Sequence, residues 1–403
     1  MASLRPFRAL RPTPDAAAAI AAVPYDVVNR DEAAALAAGN PLSFLHVSRA
    51  EIDLPPDTDP YGDAVYRKAA ATFEALKAHM VQDEQPGMYF YRLRMGGHEQ
   101  TGLAACYSID EYGRDIVKKH EKTRRDKEDD RTRHIIELRA QTGPVFLTYR
   151  HTAAIDALAA RVCGGPPLYR VTAPDGIVHT VWRADPKASA ELATAFGTLD
   201  ALYIADGHHR AASGARAHAH FGGGSDQEHA WCLGVAFPDN QTQILPYHRV
   251  VKDLGGRTPP LFLDEVATRV AVGPGEPSAR HKGECQMYLN GRWYALALQL
   301  AGSAASADPI KSLDASLLQD LLLDPVLGIK DLRTDKRIDF VGGIRGTAEL
   351  ERLVDSGAAA VAFSMYPVTV AELMAIADAG AIMPPKSTWF EPKLRDGLLI
   401  HLI

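Results

Sequence analysis

The sequence predicts an α+β protein, because alanine- and leucine-rich helical blocks and short strand-like runs follow one another without a regular β-α-β rhythm. The chain has 403 residues, 46% hydrophobic and 23% charged, which is a globular composition with room for two or three domains. Its net charge of −6 argues against a nucleic-acid partner. The cysteines are widely spaced and form no CxxC pair, and neither a signal peptide nor a membrane span is predicted. We therefore expect a cytoplasmic protein.

The individual elements follow from local patterns. Helices are predicted where alanine and leucine recur at helical spacing, at 31–38, 66–77, 153–162, 187–197 and 368–379. Strands are predicted for short apolar runs between turn residues, at 43–48, 88–95, 103–109, 145–148, 202–204, 231–237, 286–289 and 359–364. The pair Asn290-Gly291 is typical of a two-residue hairpin turn between two such runs.

The sharpest local feature is the segment Asp206-Gly207-His208-His209-Arg210, called the DGHHR box below. A short apolar strand precedes it and an alanine-rich helix follows it. Amides at a helix N-terminus bind anions, and an arginine there can grip phosphate oxygens. The box therefore predicts a phosphate site in which Asp206 holds a metal ion or orients a hydroxyl group. The alternative is that Asp206 merely caps the helix.

Three further segments attract attention. The charge run at 118–133 is either a functional segment or a solvated helix face. The basic, proline-stiffened block at 383–400 is either a functional loop or a surface segment. In Pro24-Tyr25-Asp26 an isolated carboxylate follows a rigid proline, and on its own this segment is typical of a turn. Walker, GxGxxG, GxSxG and HExxH motifs are missing from the sequence.

Together these segments resemble the bacterial and archaeal family called domain of unknown function 1015. The matching blocks are PYDVV at 24–28, HEKT at 120–123 with Asp130-Arg131, the DGHHR box, and MPPKST at 383–388. The box also resembles the ParB/sulfiredoxin superfamily, and within it the free-serine kinases. Sulfiredoxins carry a cysteine where His208 stands, and ParB proteins add a DNA-binding helix-turn-helix. Sulfinic acid reduction and DNA partitioning are therefore disfavoured.

The resemblance implies a fold with a ParB/sulfiredoxin-like nucleotide-binding core. This core would comprise residues 1–52 and 198–260. Residues 53–197 would form a large inserted α/β segment, and residues 261–403 a C-terminal α+β region that closes the cleft.

The resemblance also implies a site and an activity: a nucleotide-dependent kinase that uses ATP or ADP with Mg²⁺ to phosphorylate a small hydroxyl metabolite, free L-serine or a relative being the first guess. The expected catalytic residues are Asp206, Glu121, Asp26 and His209, with Asp206 also the metal ligand. The expected nucleotide-binding residues are Gly207, His208, His209, Arg210, His120, Lys122, Thr123, Arg131, Lys386, Ser387, Thr388 and Lys393.

Two other functions remain open from the sequence. The same fold could bind a nucleotide as a regulatory module without small-molecule chemistry, or act as a phosphohydrolase or nuclease. The three carboxylates Asp26, Glu121 and Asp206 favour the kinase, since phosphoryl transfer needs a metal ligand and a group that orients the acceptor hydroxyl. The acceptor, the choice between ATP and ADP and the oligomeric state are left open.

Overall fold

The computed structural model describes residues 2–298 and 308–403, which divide into two compact units. Unit 1 runs to Thr242 and includes Pro392–Ile403, and unit 2 is Gln243–Glu391. These limits differ from the three parts predicted from the resemblance. That division stays a prediction, although residues 53–197 supply strands to the same sheet as the strand before the DGHHR box. The α+β class is confirmed.

Short strands and helices are mixed along the whole described chain. The strands are β1 Leu4–Arg5, β2 Leu10–Pro12, β3 Met80–Gln82, β4 Tyr89–Met95, β5 His98–Ser108, β6 Val117–Lys118, β7 Ala140–Gln141, β8 Val145–Tyr149, β9 Tyr169–Thr172, β10 Val178–Arg183, β11 Leu202–Asp206, β12 Trp231–Pro238, β13 Ile244–Leu245, β14 Tyr247–Val251, β15 Ala271–Pro274, β16 Glu284–Leu289, β17 Arg292–Ala297, β18 Ile338–Gly342, β19 Val361–Met365, β20 Trp389–Phe390 and β21 His401–Leu402. The helices are α1 Ala17–Ile20, α2 Arg30–Ala37, α3 Leu45–Ser48, α4 Asp63–Leu76, α5 Ile109–Gly113, α6 Arg125–Leu138, α7 Ala153–Cys163, α8 Pro186–Phe196, α9 His208–Phe221, α10 Pro259–Ala267, α11 Asp314–Leu318, α12 Ala348–Asp355 and α13 Val370–Asp378.

Unit 1 is built on a mixed sheet of nine described strands in the order β6-β11-β8-β12-β5-β4-β10-β9, with β1 paired to β5. Most neighbours are antiparallel, but β6 with β11 and β8 with β12 run parallel. Apolar side chains from the sheet, among them Phe90 and Leu147, pack with Phe196 of α8 into one core. A second core in unit 1 gathers Phe44 and Phe73.

Unit 2 has its own antiparallel sheet, in the order β15-β17-β16-β19-β14-β18. Its core joins Phe262 of α10 and Leu318 of α11 to Phe363 of β19. The hairpin predicted at Asn290-Gly291 connects β16 and β17, and both residues have positive φ, +49° and +76°. This is the conformation that a tight primed turn requires.

The strand predicted at 43–48 is wrong, because this segment forms the short helix α3. Phe44, Leu45 and Val47 are all buried, which strict alternation along a half-buried strand does not allow. The edge of the Phe44 ring meets the Phe73 ring of α4 at a centroid distance of 6.3 Å. Packing against α4 therefore overrides the local pattern.

We predict that Gly291→Ala destabilises unit 2, because a Cβ is strained at φ +76° even though the surrounding space is open. The expected loss is about 1–2 kcal/mol. Urea unfolding followed by circular dichroism would measure it. Gly273→Ala, at an equally open position without positive φ, is the matched control. Equal stabilities of the two variants would contradict the turn assignment.

Candidate functional site

The site forms where two neighbouring parallel strands of unit 1 end. Residues Leu202 and Tyr203 of β11 pair with Val117 and Lys118 of β6, and both strands run in the same direction. The segments that follow parallel strands leave the sheet at the same edge. The loop that begins after Lys118 therefore meets the DGHHR box, although about ninety residues separate them in the sequence.

Gly207 makes the turn from β11 into α9. Its φ is +91°, and a Cβ at this position would lie 2.9 Å from Nε of Arg210, so any other residue would be strained and crowded. Helix α9 begins at His208 and has no side-chain cap. Asp206 therefore does not cap the helix, and the first-turn amides lack a capping side chain.

The buried guanidinium of Arg210 folds back towards the strand. One terminal nitrogen donates to the Pro144 carbonyl at 2.5 Å, and the other donates to Oδ2 of Asp206 at 2.9 Å. The second nitrogen also lies 3.9 Å from the Asp26 carboxylate. Nζ of Lys393 lies 3.8 Å from the same Oδ2 of Asp206. Arg210 thus holds Asp206 in place. Both of its terminal nitrogens already have partners, so the guanidinium does not offer two free N–H groups to a phosphate.

The charges around Asp206 keep it ionised. Burial favours the neutral carboxyl, but the positive charges of Lys393 and Arg210 outweigh burial and lower the pKa of Asp206 to about 2. A carboxylate with so low a pKa is a weak proton acceptor at neutral pH. Its chemistry is that of a fixed negative charge, suited to a cation or to an oriented hydroxyl hydrogen.

Two polar side chains of the loop after β6, His120 and Glu121, meet His208 of the box. The rings of His120 and His208 are perpendicular with centroids 4.4 Å apart, and Nδ1 of His208 lies 3.9 Å from the Glu121 carboxylate. Burial lowers the pKa of His120 to about 4 and that of His208 well below its ordinary value, so both rings are neutral at pH 7. His209 instead accepts a hydrogen bond from the Arg124 amide at 2.9 Å.

Of the other residues that the sequence predicts for the site, Arg131 lies beside Arg210, whereas Thr123 and Lys122 do not contact the cluster. Arg131 lies in the same cavity as Arg210, where it pairs with Asp130 at 2.8 Å and stacks on the Tyr25 ring. Thr123 donates to Glu128, and Lys122 is exposed, so neither joins the cluster through a contact.

The predicted residues at 386–388 belong to unit 2. There the Lys386 carbonyl accepts from Arg249 at 3.4 Å, and the Ser387 hydroxyl donates to the Pro384 carbonyl at 2.8 Å. Their approach to the DGHHR box, and the predicted roles of all these residues, stay predictions.

The sequence analysis missed a buried carboxyl group, Asp396. It lines the cavity that contains Tyr25, Arg131 and Arg210, and about 30 Å³ of this cavity accommodates water-sized molecules, enough for about two. Burial raises the pKa of Asp396 to about 7, against the opposing effect of Arg210. A Cβ on Gly143 would come within 2.6 Å of Oδ1, so a larger residue there would force the carboxyl group to move. Nothing local in Arg395-Asp396-Gly397 distinguishes this group from a surface turn.

The fold and the site thus define an α+β protein with a charged cluster at the N-terminus of an uncapped helix. The family described as "Protein of unknown function (DUF1015)" matches residues 4–316. The chain belongs to this family, which confirms the resemblance drawn from the four sequence blocks. No curated protein matches the chain.

Several solved structures are similar to the chain. A free serine kinase in complex with AMP has 14% identity and a TM-score of 0.37 and covers 74% of this chain and 92% of its own. A conserved hypothetical protein from Pyrococcus furiosus has 15% identity, a TM-score of 0.34 and coverages of 75% and 95%. C-terminally truncated SbnI from Staphylococcus aureus has 12% identity, a TM-score of 0.37 and coverages of 74% and 87%. These values are too low to assign function, and the ParB/sulfiredoxin-like core stays a prediction.

Within residues 2–298 and 308–403, no helix has the length and apolarity needed to cross a bilayer.

We predict that Asp396 makes the stability of unit 1 depend on pH. Its folded pKa of about 7 exceeds the unfolded value of about 3.9, so its contribution is complete below about pH 4 and is lost as the pH rises towards 7. The free energy of unfolding of the native protein, relative to that of Asp396→Asn, should fall across this range by a few kcal/mol (order of magnitude). Urea titrations at several pH values would measure the difference.

The control is Asp110→Asn, which removes an exposed carboxylate on α5 that pairs with Arg114 at 2.7 Å. Parallel pH profiles for the native protein and Asp396→Asn would contradict the burial of a titrating carboxyl group at this position.

Proposed function

We propose that the protein is a nucleotide-dependent kinase that transfers a phosphoryl group from ATP or ADP to a small hydroxyl metabolite, with free L-serine or a relative as the first acceptor to test. The observation that carries the proposal is an ionised carboxylate, Asp206, beside the uncapped first turn of α9. The resemblance of the DGHHR box to the free-serine kinases supplies the acceptor class.

Phosphate binding is supported by the first turn of α9. Its amides lack a side-chain cap, and the positive end of the helix dipole favours an anion there. Lys393 and Arg210 place two positive charges within 4 Å of Asp206, the charge balance needed by a transferring phosphoryl group. In this proposal Arg210 acts mainly by fixing Asp206, and the amides and Lys393 contact the phosphates.

The three carboxylates Asp206, Asp26 and Glu121 are suited to different roles because their surroundings differ. Asp206, with its low pKa, is suited to binding Mg²⁺ and not to accepting a proton. Asp26 lies near the same guanidinium nitrogen, with its side chain one-third exposed, and Glu121 is 45% exposed. Asp26 or Glu121 would therefore orient the acceptor hydroxyl and take its proton.

The donor set fits Mg²⁺, which prefers carboxylate and phosphate oxygens to nitrogen. Asp206 would hold it, and both ion-pair contacts of Asp206 use Oδ2. When bound, the ion would neutralise charge on the phosphates. His209 would help to fix the loop over the helix N-terminus, since its ring already accepts from the Arg124 amide.

The deciding experiment incubates the protein with Mg²⁺, L-serine or a pool of small alcohols, and ATP or ADP labelled in the terminal phosphate. Label in a phosphorylated metabolite would support the kinase. Release of labelled phosphate alone would instead indicate a phosphohydrolase. Nucleotide binding without turnover would indicate a regulatory nucleotide-binding module and would overturn the kinase proposal.

We predict that Asp206→Asn lowers turnover in a protein that still folds, because the Asp26 carboxylate remains 3.9 Å from Arg210 to compensate its charge. The amide keeps the shape of the side chain but loses the charge, so turnover should fall by about 10²-fold or more. Initial rates at saturating nucleotide would measure this, with thermal unfolding of the same sample as the folding check. The matched control is Asp110→Asn, which also removes one carboxylate from an arginine pair. Undiminished turnover in Asp206→Asn would rule out the assigned role.

A further inference from the structure

We propose that His120, Glu121 and His208 form a binding site for one transition-metal ion of the Zn²⁺ class, in addition to any Mg²⁺ held by Asp206. One ligand atom from each of these three side chains lies within 4.8 Å of the other two. Two imidazoles with one carboxylate form a donor set typical of Zn²⁺ and unfavourable for Mg²⁺. The site is a property of these side chains and stands independently of the proposed kinase activity.

The observation that singles out this cluster is the state of His120. The residue is only 2% exposed, and neither Nδ1 nor Nε2 makes a hydrogen bond of good geometry within the described residues, although the Ile204 carbonyl lies close enough to act on the ring. A buried polar group without a partner has lost its hydrogen bonds to water and gained none in return, so such groups are rare unless a ligand satisfies them. Coordination of a metal ion would give one of the two ring nitrogens a partner and so remove part of this cost.

The backbone explains why the three residues converge. His120 and Glu121 follow β6, His208 opens α9 directly after β11, and these two strands are parallel neighbours. The His120 amide donates to Nε2 of His208 at 3.4 Å, a long and weak hydrogen bond that already ties the two segments together.

The cluster needs only a small adjustment to bind a metal ion. Zn²⁺ at bond lengths of about 2.1 Å holds tetrahedral ligand atoms roughly 3.4 Å apart. The present separations of up to 4.8 Å therefore require a contraction, and the Glu121 side chain, 45% exposed, has room to swing inward. Three protein ligands leave a fourth position open for water or a ligand oxygen.

A metal titration of the full chain tests the proposal. The protein is stripped with EDTA, dialysed and titrated with Zn²⁺ against a chromophoric chelator, and separately with Co²⁺, whose visible absorption reports the coordination geometry. We expect one tight Zn²⁺ equivalent that millimolar Mg²⁺ does not displace. The absence of stoichiometric Zn²⁺ binding in the native protein would overturn the proposal, whatever the kinase assay gives.

Two variants locate the ion. His120→Asn removes the buried imidazole, and Glu121→Gln removes the charge of a side chain that is 45% exposed. Each should weaken Zn²⁺ binding by about 10²-fold or more, beyond the loss expected for an outer-shell partner. Thermal unfolding of both metal-free variants checks that they fold. Native affinity in a folded Glu121→Gln together with native affinity in His120→Asn would refute the assignment.

The matched control is His229→Gln. His229 and His218 form another close histidine pair in unit 1, with their Nδ1 atoms 2.8 Å apart. If the ion occupies the proposed site, His229→Gln keeps the native Zn²⁺ affinity and the Co²⁺ spectrum. Loss of the tight equivalent in His229→Gln, with its retention in His120→Asn, would assign the ion to the surface pair and overturn the proposal.

Discussion

The candidate site depends on one partly buried ion pair, between the buried Arg210 at the start of α9 and Asp206, 30% exposed, at the end of β11. A charge taken out of water is costly unless a partner compensates it, and here each group compensates the other. The Pro144 carbonyl satisfies a second guanidinium nitrogen, so the arginine is held by the strand and by a separate loop. This geometry fixes the direction of the Asp206 carboxylate. It also requires glycine at position 207, because the Arg210 guanidinium lies where a Cβ would be.

Local features of the site follow from the sequence, whereas long-range ones do not. The strand, turn and helix of the DGHHR box lie within twenty residues, and their turn and helix signals are explicit. The meeting of His120 with His208 depends on the pairing of β6 with β11. A two-residue strand such as β6 is too short to show the alternation of apolar and polar residues, so the sequence does not predict this pairing. The burial of Asp396 likewise results from packing beside Gly143.

Packing also decides where the fold departs from local preference. The segment with Phe44 and Val47 has enough β-type residues to suggest a strand, yet it is helical because all its apolar side chains have burial sites against α4. Conversely, Asn290-Gly291 is predicted correctly because the turn depends on backbone conformation alone. Lys393 shows an intermediate case: its basic, proline-stiffened surroundings suggested a binding role, but only the structure reveals its contact with Asp206.

The return of Pro392–Ile403 to unit 1 has a consequence for biosynthesis. These residues leave the ribosome only after all of Gln243–Glu391 has been made. A nascent chain that already contains β6, β11 and α9 therefore still lacks Lys393, which balances Asp206, and Asp396, which lines the cavity beside Arg210. Until Pro392–Ile403 emerge, the charge balance around Asp206 is incomplete. The order of translation thus delays the finished site until after unit 2 has been synthesised.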